Sequence, residues 1–220
     1  MSEMNLDQAR LNMIEQQIRP WEVLDQRVLD LLSTVPREDF VPPSYRNLAF
    51  ADINIPLGEN QVMMSPKVEA RILQALNLQE DETVLEVGTG SGYVTALLAS
   101  LAKQVISVDI NPEMTRQAGE KLTAHGFNNV TLETGDAARG WGTHALYDVI
   151  VITGSLPLLP DEFKHALKVG GRLLVIVGDS PAMGVVLITR VGGSEWAEEI
   201  LFETDLPALI NAPQPERFSL

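Results

Sequence analysis

Cysteine is absent from this sequence of 220 residues. Disulfide bonds, thiolate zinc sites and cysteine nucleophiles are therefore excluded. Histidine is scarce, since only His125, His144 and His165 occur. No two of them have the four-residue spacing that places two ligands on one face of a helix. The sequence therefore predicts no metal site.

Long apolar runs and basic residues are also lacking. No stretch approaches the roughly 18 apolar residues of a membrane span, and the polar N-terminus lacks the pattern of a secretory signal. We therefore expect a cytoplasmic protein without a membrane partner. The 30 acidic residues outnumber the 16 basic ones, which gives a formal net charge of −14. Because such a surface repels a phosphate backbone, we do not expect nucleic acid as a partner.

The first third of the chain has a helical pattern interrupted by prolines. Apolar residues recur at three- and four-residue steps over 6–32, and Pro20 divides this stretch into two predicted helices. Three prolines within 35–43 predict an extended connector. Residues 48–65 are expected to be irregular, with one short strand at 51–57. A further helix is predicted from residue 66 to residue 76.

From residue 77 onwards, buried apolar runs alternate with helical patterns, which is typical of a parallel sheet with helices on both faces. We predict an α/β fold with a Rossmann-like, doubly wound, mostly parallel sheet and an N-terminal helical segment. The N-terminal helices and a substrate loop (1–76) are expected to precede the core and tail (77–220), all within one compact domain. The tail over 200–220 has little periodicity. The predicted strands cover 83–88, 104–110, 129–136, 147–154, 172–178 and 185–191.

The strongest motif is VLEVGTGSGY, at residues 84–93. Gly88, Gly90 and Gly92 follow a predicted strand and open a predicted helix, where glycine lets the backbone approach a ligand closely. A glycine string by itself occurs in many proteins. Glu86, inside the strand, would be costly to bury without a partner. We expect it to point towards the mouth of the sheet, near the methionine part of a cofactor.

Carboxylates also end the next two predicted strands. Asp109 lies 21 residues after Gly88, a distance at which an acidic side chain accepts hydrogen bonds from ribose hydroxyls. Asp136 ends the third strand, where a carboxylate can reach an adenine edge or the loop that holds it. Because parallel strands place their carboxyl ends at one edge of the sheet, these residues predict a single adenosyl-binding site. The E-x-G-x-G-x-G string resembles motif I of methyltransferases, so S-adenosylmethionine is the predicted cofactor.

From about residue 12 to residue 190, the sequence resembles the protein-L-isoaspartate O-methyltransferase family. VPREDFVP (35–42) resembles its N-terminal signature, FADINIPLGENQ (50–61) resembles its substrate loop, and the later motifs follow in the family's order. The resemblance implies protein repair: methyl transfer from S-adenosylmethionine to the α-carboxylate of an L-isoaspartyl residue. The implied partner is a protein or peptide carboxylate. The implied cofactor-binding residues include Gln61, Val62, Met63, Met64, Asp136 and Ala137.

The substrate loop departs from the family pattern G-Q-T-I-S-x-P. In an alignment on Gln61, the chain has Val62 in place of the threonine and Met64 in place of a serine that helps to hold the substrate carboxylate. Ser65, one position later, is the candidate catalytic replacement if the loop shifts. Asn60 stands where the family has glycine.

Three hypotheses remain open from the sequence. The chain is an isoaspartyl carboxyl methyltransferase with an altered pocket, a diverged methyltransferase with another acceptor, or a non-catalytic protein that binds S-adenosylmethionine. The apolar residues Val62, Met63 and Met64 favour the second hypothesis, and the loss of two pocket hydroxyls together with the unusual tail supports the third.

Overall fold

The computed structural model of the chain describes residues 6–142 and 146–216. Over these two ranges, no helix has the length and apolar character needed to cross a membrane. Within the same ranges, no group of three or more His, Asp and Glu side chains is placed to hold a metal ion. His144 lies outside the described residues.

The N-terminal part is helical, as predicted, and its first helix ends at Pro20. Helix α1 spans Leu6–Met13, continues as π-helix over Ile14–Ile18 and closes with a 3-10 turn at Arg19–Trp21. Pro20 lies in this turn, where a residue without an N–H ends the helical ladder. Helix α2 then covers Gln26–Thr34.

The prediction of an extended connector over 35–43 is wrong for its central residues. Arg37–Phe40 form one turn of helix, α3, and a 3-10 segment follows at Pro43–Leu48. The Arg37 side chain is buried and donates hydrogen bonds to the carbonyls of Ala49 and Met64. These tertiary contacts hold a helical turn that the prolines alone disfavour.

A two-stranded hairpin occupies the region that was expected to be irregular. Strand β1 (Ile55–Gly58) confirms the second half of the short strand predicted at 51–57, whereas residues 51–54 are not in a strand. Its antiparallel partner β2 (Gln61–Met63) was not predicted. Glu59 and Asn60 join them with φ values of 50° and 58°. Asparagine tolerates this left-handed conformation better than most residues, which explains how Asn60 can stand where the family has glycine.

The predicted sheet is confirmed, with seven strands in the order β5-β4-β3-β6-β7-β8-β9. Strands β3 to β7 are parallel, and β8 and β9 extend one edge as antiparallel strands. The expectation of an irregular tail from residue 200 is wrong for 200–204, which belong to β9. The strands are β3 (Thr83–Val87), β4 (Gln104–Asp109), β5 (Val130–Thr134), β6 (Tyr147–Leu156), β7 (Leu167–Val177), β8 (Met183–Arg190) and β9 (Trp196–Thr204). The helices are α4 (Pro66–Leu76), α5 (Tyr93–Ala99), α6 (Pro112–Ala124) and α7 (Asp161–His165).

One apolar cluster joins the N-terminal helices to the sheet. It includes Met13 and Leu32 from the helical segment, Val84 and Val149 from the sheet, and Leu206 from the tail. The division at residues 76 and 77 stays a prediction. Successive strands run outward from β3 through β4 to β5, and the chain then returns to β6 on the other side of β3. Such a switch point opens a crevice at the carboxyl ends of the strands.

Candidate active site

A crevice lies at this switch point. Its walls come from the carboxyl ends of β3, β4, β5 and β6, the β1–β2 hairpin, the start of α6 and the C-terminal tail. The predicted residues Gln61, Val62, Gly88, Gly90, Asp109, Asp136 and Ala137 all line it, together with Leu57, Glu59, Asn111, Met114, Thr153, Leu209 and Ile210.

The glycine-rich loop exposes its backbone to the crevice. Gly88 and Gly90 have φ values of 103° and 49°, a region that side chains with a Cβ rarely occupy. A Cβ on Gly88 would overlap the Thr153 hydroxyl oxygen, which donates to the carbonyls of Val87 and Gly88. Gly92 has another role, since it caps helix α5 outside the crevice lining and packs against Ala118.

Asp109 fixes the shape of the loop from the end of β4. Its Oδ2 accepts the Gly90 N–H at 2.8 Å, and its Oδ1 accepts the Asn111 N–H at 2.9 Å. Each oxygen retains capacity for one more hydrogen bond. The carboxylate therefore both holds the loop and offers acceptors towards the crevice, as a ribose diol requires.

Asp136 is held by the loop after β5 and by the C-terminal tail. Its Oδ1 accepts the Ala138 N–H at 3.0 Å, and its Oδ2 accepts the Asn211 side-chain amide at 2.8 Å. Ala137 and Ala138 line the crevice beside it. This end of the crevice thus combines a fixed carboxylate with small apolar groups.

The tail forms a crevice wall that the sequence did not reveal. Ser155, at the end of β6, donates its hydroxyl to the Leu206 carbonyl and its N–H to the Pro207 carbonyl. Its own carbonyl accepts the Leu209 N–H at 2.9 Å. These bonds bring Leu209 and Ile210 into the lining. Because the segment has no periodicity, no pattern signals this role.

The predicted position of Glu86 is wrong. Its side chain is fully buried and lies outside the crevice lining. Glu86 Oε2 accepts hydrogen bonds from Thr95 Oγ1 at 2.5 Å and from Ser107 Oγ at 2.6 Å, and the Ser107 and Thr89 hydroxyls lie 2.6 Å apart. Burial raises the pKa of Glu86 to about 8. These hydroxyl groups offset the cost of burying the Glu86 side chain, and the sequence did not indicate them as its partners.

A smaller cavity, here called the inner pocket, adjoins the crevice. The two cavities share Leu57, Val62, Gly88, Gly90 and Thr153 as wall residues. Met63 and Met64, predicted at the cofactor, line this inner pocket instead of the crevice. The remaining walls are Glu69, Thr89, Ser91 and Val94.

Ser65, the candidate catalytic residue, lines neither cavity. It precedes helix α4 as its N-cap residue, and its backbone N–H donates to Asn54 Oδ1 at 3.0 Å. The described geometry therefore gives no support for its predicted part in acceptor binding.

A buried ion pair lies beside the inner pocket. The Arg37 guanidinium donates to Glu69 Oε2, and both side chains are almost completely shielded from solvent. Burial raises the pKa of Glu69 to about 7, although the arginine opposes this shift. The Arg37 guanidinium also lies 4.9 Å from the centre of the Tyr93 ring. Arg37 thus connects α3 to α4 through Glu69 and to α5 through Tyr93.

Among the residues that the structure describes, the charged side chains that line the crevice are all acidic: Glu59, Asp109 and Asp136. An acidic wall favours a ligand with positive charge, such as one that carries a sulfonium and an ammonium group. The sheet order, the glycine-lined switch point and these carboxylates define a Rossmann-like S-adenosylmethionine-dependent methyltransferase.

Comparisons with known proteins identify the family. Residues 8–201 match the family described as protein-L-isoaspartate(D-aspartate) O-methyltransferase (PCMT). The chain is similar to the protein-L-isoaspartate O-methyltransferase of Rhodopseudomonas palustris, with 38% identity over 208 residues that cover 93% of this chain and 95% of the relative. It is also similar to the Myxococcus xanthus enzyme of that name, with 42% identity over 169 residues, 77% of this chain and 79% of the relative. The chain therefore belongs to the PCMT family.

The fold likeness extends to a solved structure. A Plasmodium falciparum protein described as a protein-L-isoaspartate O-methyltransferase, in complex with S-adenosyl-L-homocysteine, matches with a TM-score of 0.79. The match covers 94% of this chain and 99% of that chain at 17% identity. At this identity the match establishes a shared fold.

Proposed function

We propose that this chain methylates the α-carboxylate of L-isoaspartyl residues in proteins and peptides. Membership of the PCMT family supports the reaction class. The observation that carries the proposal is the crevice itself, in which every charged lining residue of the described ranges is acidic and which shares wall residues with the inner pocket. A cationic methyl donor and a methyl acceptor therefore have adjoining places.

Several residues are proposed to hold S-adenosylmethionine, which supplies the methyl group when it is bound. The backbone at Gly88 and Gly90 lies against the donor, Asp109 accepts from the ribose hydroxyls, and Asp136 with Ala137 borders the adenine. Gln61 and Val62 cover the donor from the hairpin. These assignments are supported by the fact that all of these residues line the same crevice.

The chemistry proposed for the inner pocket is positioning. A carboxylate is already a nucleophile at neutral pH, so the protein needs to hold the acceptor oxygen in line with the methyl group and to exclude water. Met63, Met64 and Val94 provide apolar walls for this purpose. No general base is required.

A second acceptor class is favoured by Met64. A methionine side chain is apolar and adaptable, and it lines the inner pocket at the position where the family has serine. This observation supports a carboxylate acceptor with an apolar neighbouring group as an alternative to an isoaspartyl peptide.

A paired peptide assay tests the proposal. Purified protein is given S-adenosylmethionine with a labelled methyl group and either an isoaspartyl peptide or the same peptide with a normal aspartate. We expect label only in the isoaspartyl peptide. A Met64→Ser variant is run beside it, and higher turnover in this variant is expected because a hydroxyl donor returns to the pocket. Folded, cofactor-bound protein that labels neither peptide, but labels another carboxylate in a cell extract, would favour the alternative.

A further inference from the structure

The third cavity near the site is an open groove, here called the outer groove. It runs past α3 and the first turns of α6 and meets the inner pocket at Leu57, Gly90 and Ser91, which line both. Of these three residues, only Ser91 has a polar side chain. A substrate peptide that lies along the groove and places one carboxylate in the inner pocket would pass this hydroxyl.

The other polar side chains of the inner pocket are already engaged. The Thr89 hydroxyl is hydrogen-bonded to Ser107 at 2.6 Å, and the Thr153 hydroxyl donates to backbone carbonyls. Glu69 is paired with Arg37 and, when ionised, repels a second carboxylate. Neither threonine hydroxyl is therefore free to donate a hydrogen bond to an incoming anion, and the ionised form of Glu69 disfavours one.

Ser91 has a different arrangement. Its Oγ accepts the Tyr93 N–H at 3.3 Å, which uses one lone pair and leaves the hydroxyl hydrogen available for donation. The residue is only 8% exposed. A hydroxyl that is shielded from bulk water forms stronger hydrogen bonds to an anion than one on the surface does.

We propose that Ser91 binds the acceptor, with its hydroxyl donating a hydrogen bond to the acceptor carboxylate. This assignment rests on the proposed function and specifies which group recognises the substrate. Ser91 then provides, in the same pocket, the hydroxyl that the loop lost at Met64. The crevice lining does not include Ser91, so we expect its replacement to affect the acceptor much more than the cofactor.

Binding measurements test this assignment without requiring turnover. An isoaspartyl hexapeptide is titrated into protein saturated with S-adenosylhomocysteine, and the dissociation constant is compared between wild type and Ser91→Ala. We expect peptide binding to weaken roughly ten- to a hundredfold, as the loss of one hydrogen bond to a charged group predicts. The affinity for S-adenosylhomocysteine should change by less than about twofold. A hydrogen bond from Ser91 to the cofactor would instead give a loss of at least about tenfold.

Two further variants distinguish binding from folding. Ser100→Ala removes a hydroxyl that bonds the Ala96 carbonyl at the far end of α5, outside all three cavities, and should leave peptide binding unchanged. Ser91→Cys keeps the size with a weaker donor and should give an intermediate affinity. Adding Met64→Ser to Ser91→Ala should restore much of the lost affinity.

The outcomes separate this assignment from the proposed function. Wild-type protein that binds the peptide without methylating it contradicts the proposed function, while the Ser91 variants still decide the acceptor contact. Equal peptide affinity in wild type and Ser91→Ala overturns the assignment. So does a wild-type protein that binds no isoaspartyl peptide.

Discussion

The side-chain amide of Asn211 donates a hydrogen bond of 2.8 Å to Asp136 Oδ2. This contact joins the C-terminal tail to the carboxylate at the far end of the crevice, 75 residues earlier in the chain. Asn211 lies beyond residue 201, where the match to the family model ends. A site formed mainly by family motifs is thus completed by a segment outside them.

Replacement of Asn211 by alanine should weaken binding of S-adenosylhomocysteine. The variant frees one oxygen of Asp136 and loosens the tail that carries Leu209 and Ile210 into the crevice. We expect a loss of up to about tenfold, because the bond is partly exposed to solvent. Isothermal titration calorimetry measures the dissociation constant of S-adenosylhomocysteine. Gln214→Ala, in the same tail but outside the crevice lining, is the control, and equal losses in both variants would contradict a specific role for Asn211.

Gly88→Ala should both destabilise the protein and impair cofactor binding. The φ of 103° at this position is strained for alanine, and the added Cβ meets the Thr153 hydroxyl. Backbone strain of this kind costs about 1–3 kcal/mol. Thermal unfolding and calorimetry give the two effects. In a Thr153→Ala background the overlap is relieved but the strain stays, so the cost should be smaller without disappearing. Full tolerance of the single substitution would refute the strain argument.

Glu86 should make the protein less stable as the pH rises. Burial raises the pKa of Glu86 from 4.5 to about 8, so between these values the unfolded chain loses a proton that the folded chain retains. The free energy of unfolding therefore falls with rising pH through this window, by about 1.4 kcal/mol for each unit of pKa difference as an upper limit.

Glu86→Gln should remove this part of the pH dependence. Glu69, whose pKa burial raises to about 7, acts in the same direction, so the informative quantity is the difference between variant and wild type. The free energies of unfolding are measured with urea at pH 5 and pH 8. Relative to wild type, the variant should be more stable at pH 8 than it is at pH 5. A difference that is constant with pH would show that Glu86 is ionised in the folded protein.

Arg37→Met should be among the most destabilising single substitutions. It leaves the Glu69 carboxyl buried without its cation and removes donors from the Ala49 and Met64 carbonyls. Breaking such a pair on one side costs about 3–5 kcal/mol. The double variant Arg37→Met/Glu69→Leu should recover part of this loss, because no buried carboxylate stays unpaired. Urea denaturation decides, and a double variant no more stable than the single one would count against an unpaired charge as the cause.

Local patterns were sufficient to predict most of the fold. Continuous apolar runs predicted β3, β4 and β6, and a three- to four-residue period after Pro66 predicted α4. Gly88, Gly90, Asp109 and Asp136 follow strand ends, and a parallel sheet necessarily collects such residues at one edge. Their common crevice therefore follows from the order of the elements along the chain.

Contacts between distant segments determined the rest. Glu86 lies in a polar network with Thr95 and Ser107, and neither partner is marked by any local pattern. The helical turn at Arg37 depends on carbonyls far along the chain, and Ser155 and Asp136 hold the tail as a crevice wall. Periodicity describes which face of an element is buried, but it carries no information about which distant polar group will be there to meet a buried side chain. That pairing depends on how the elements pack against one another in three dimensions.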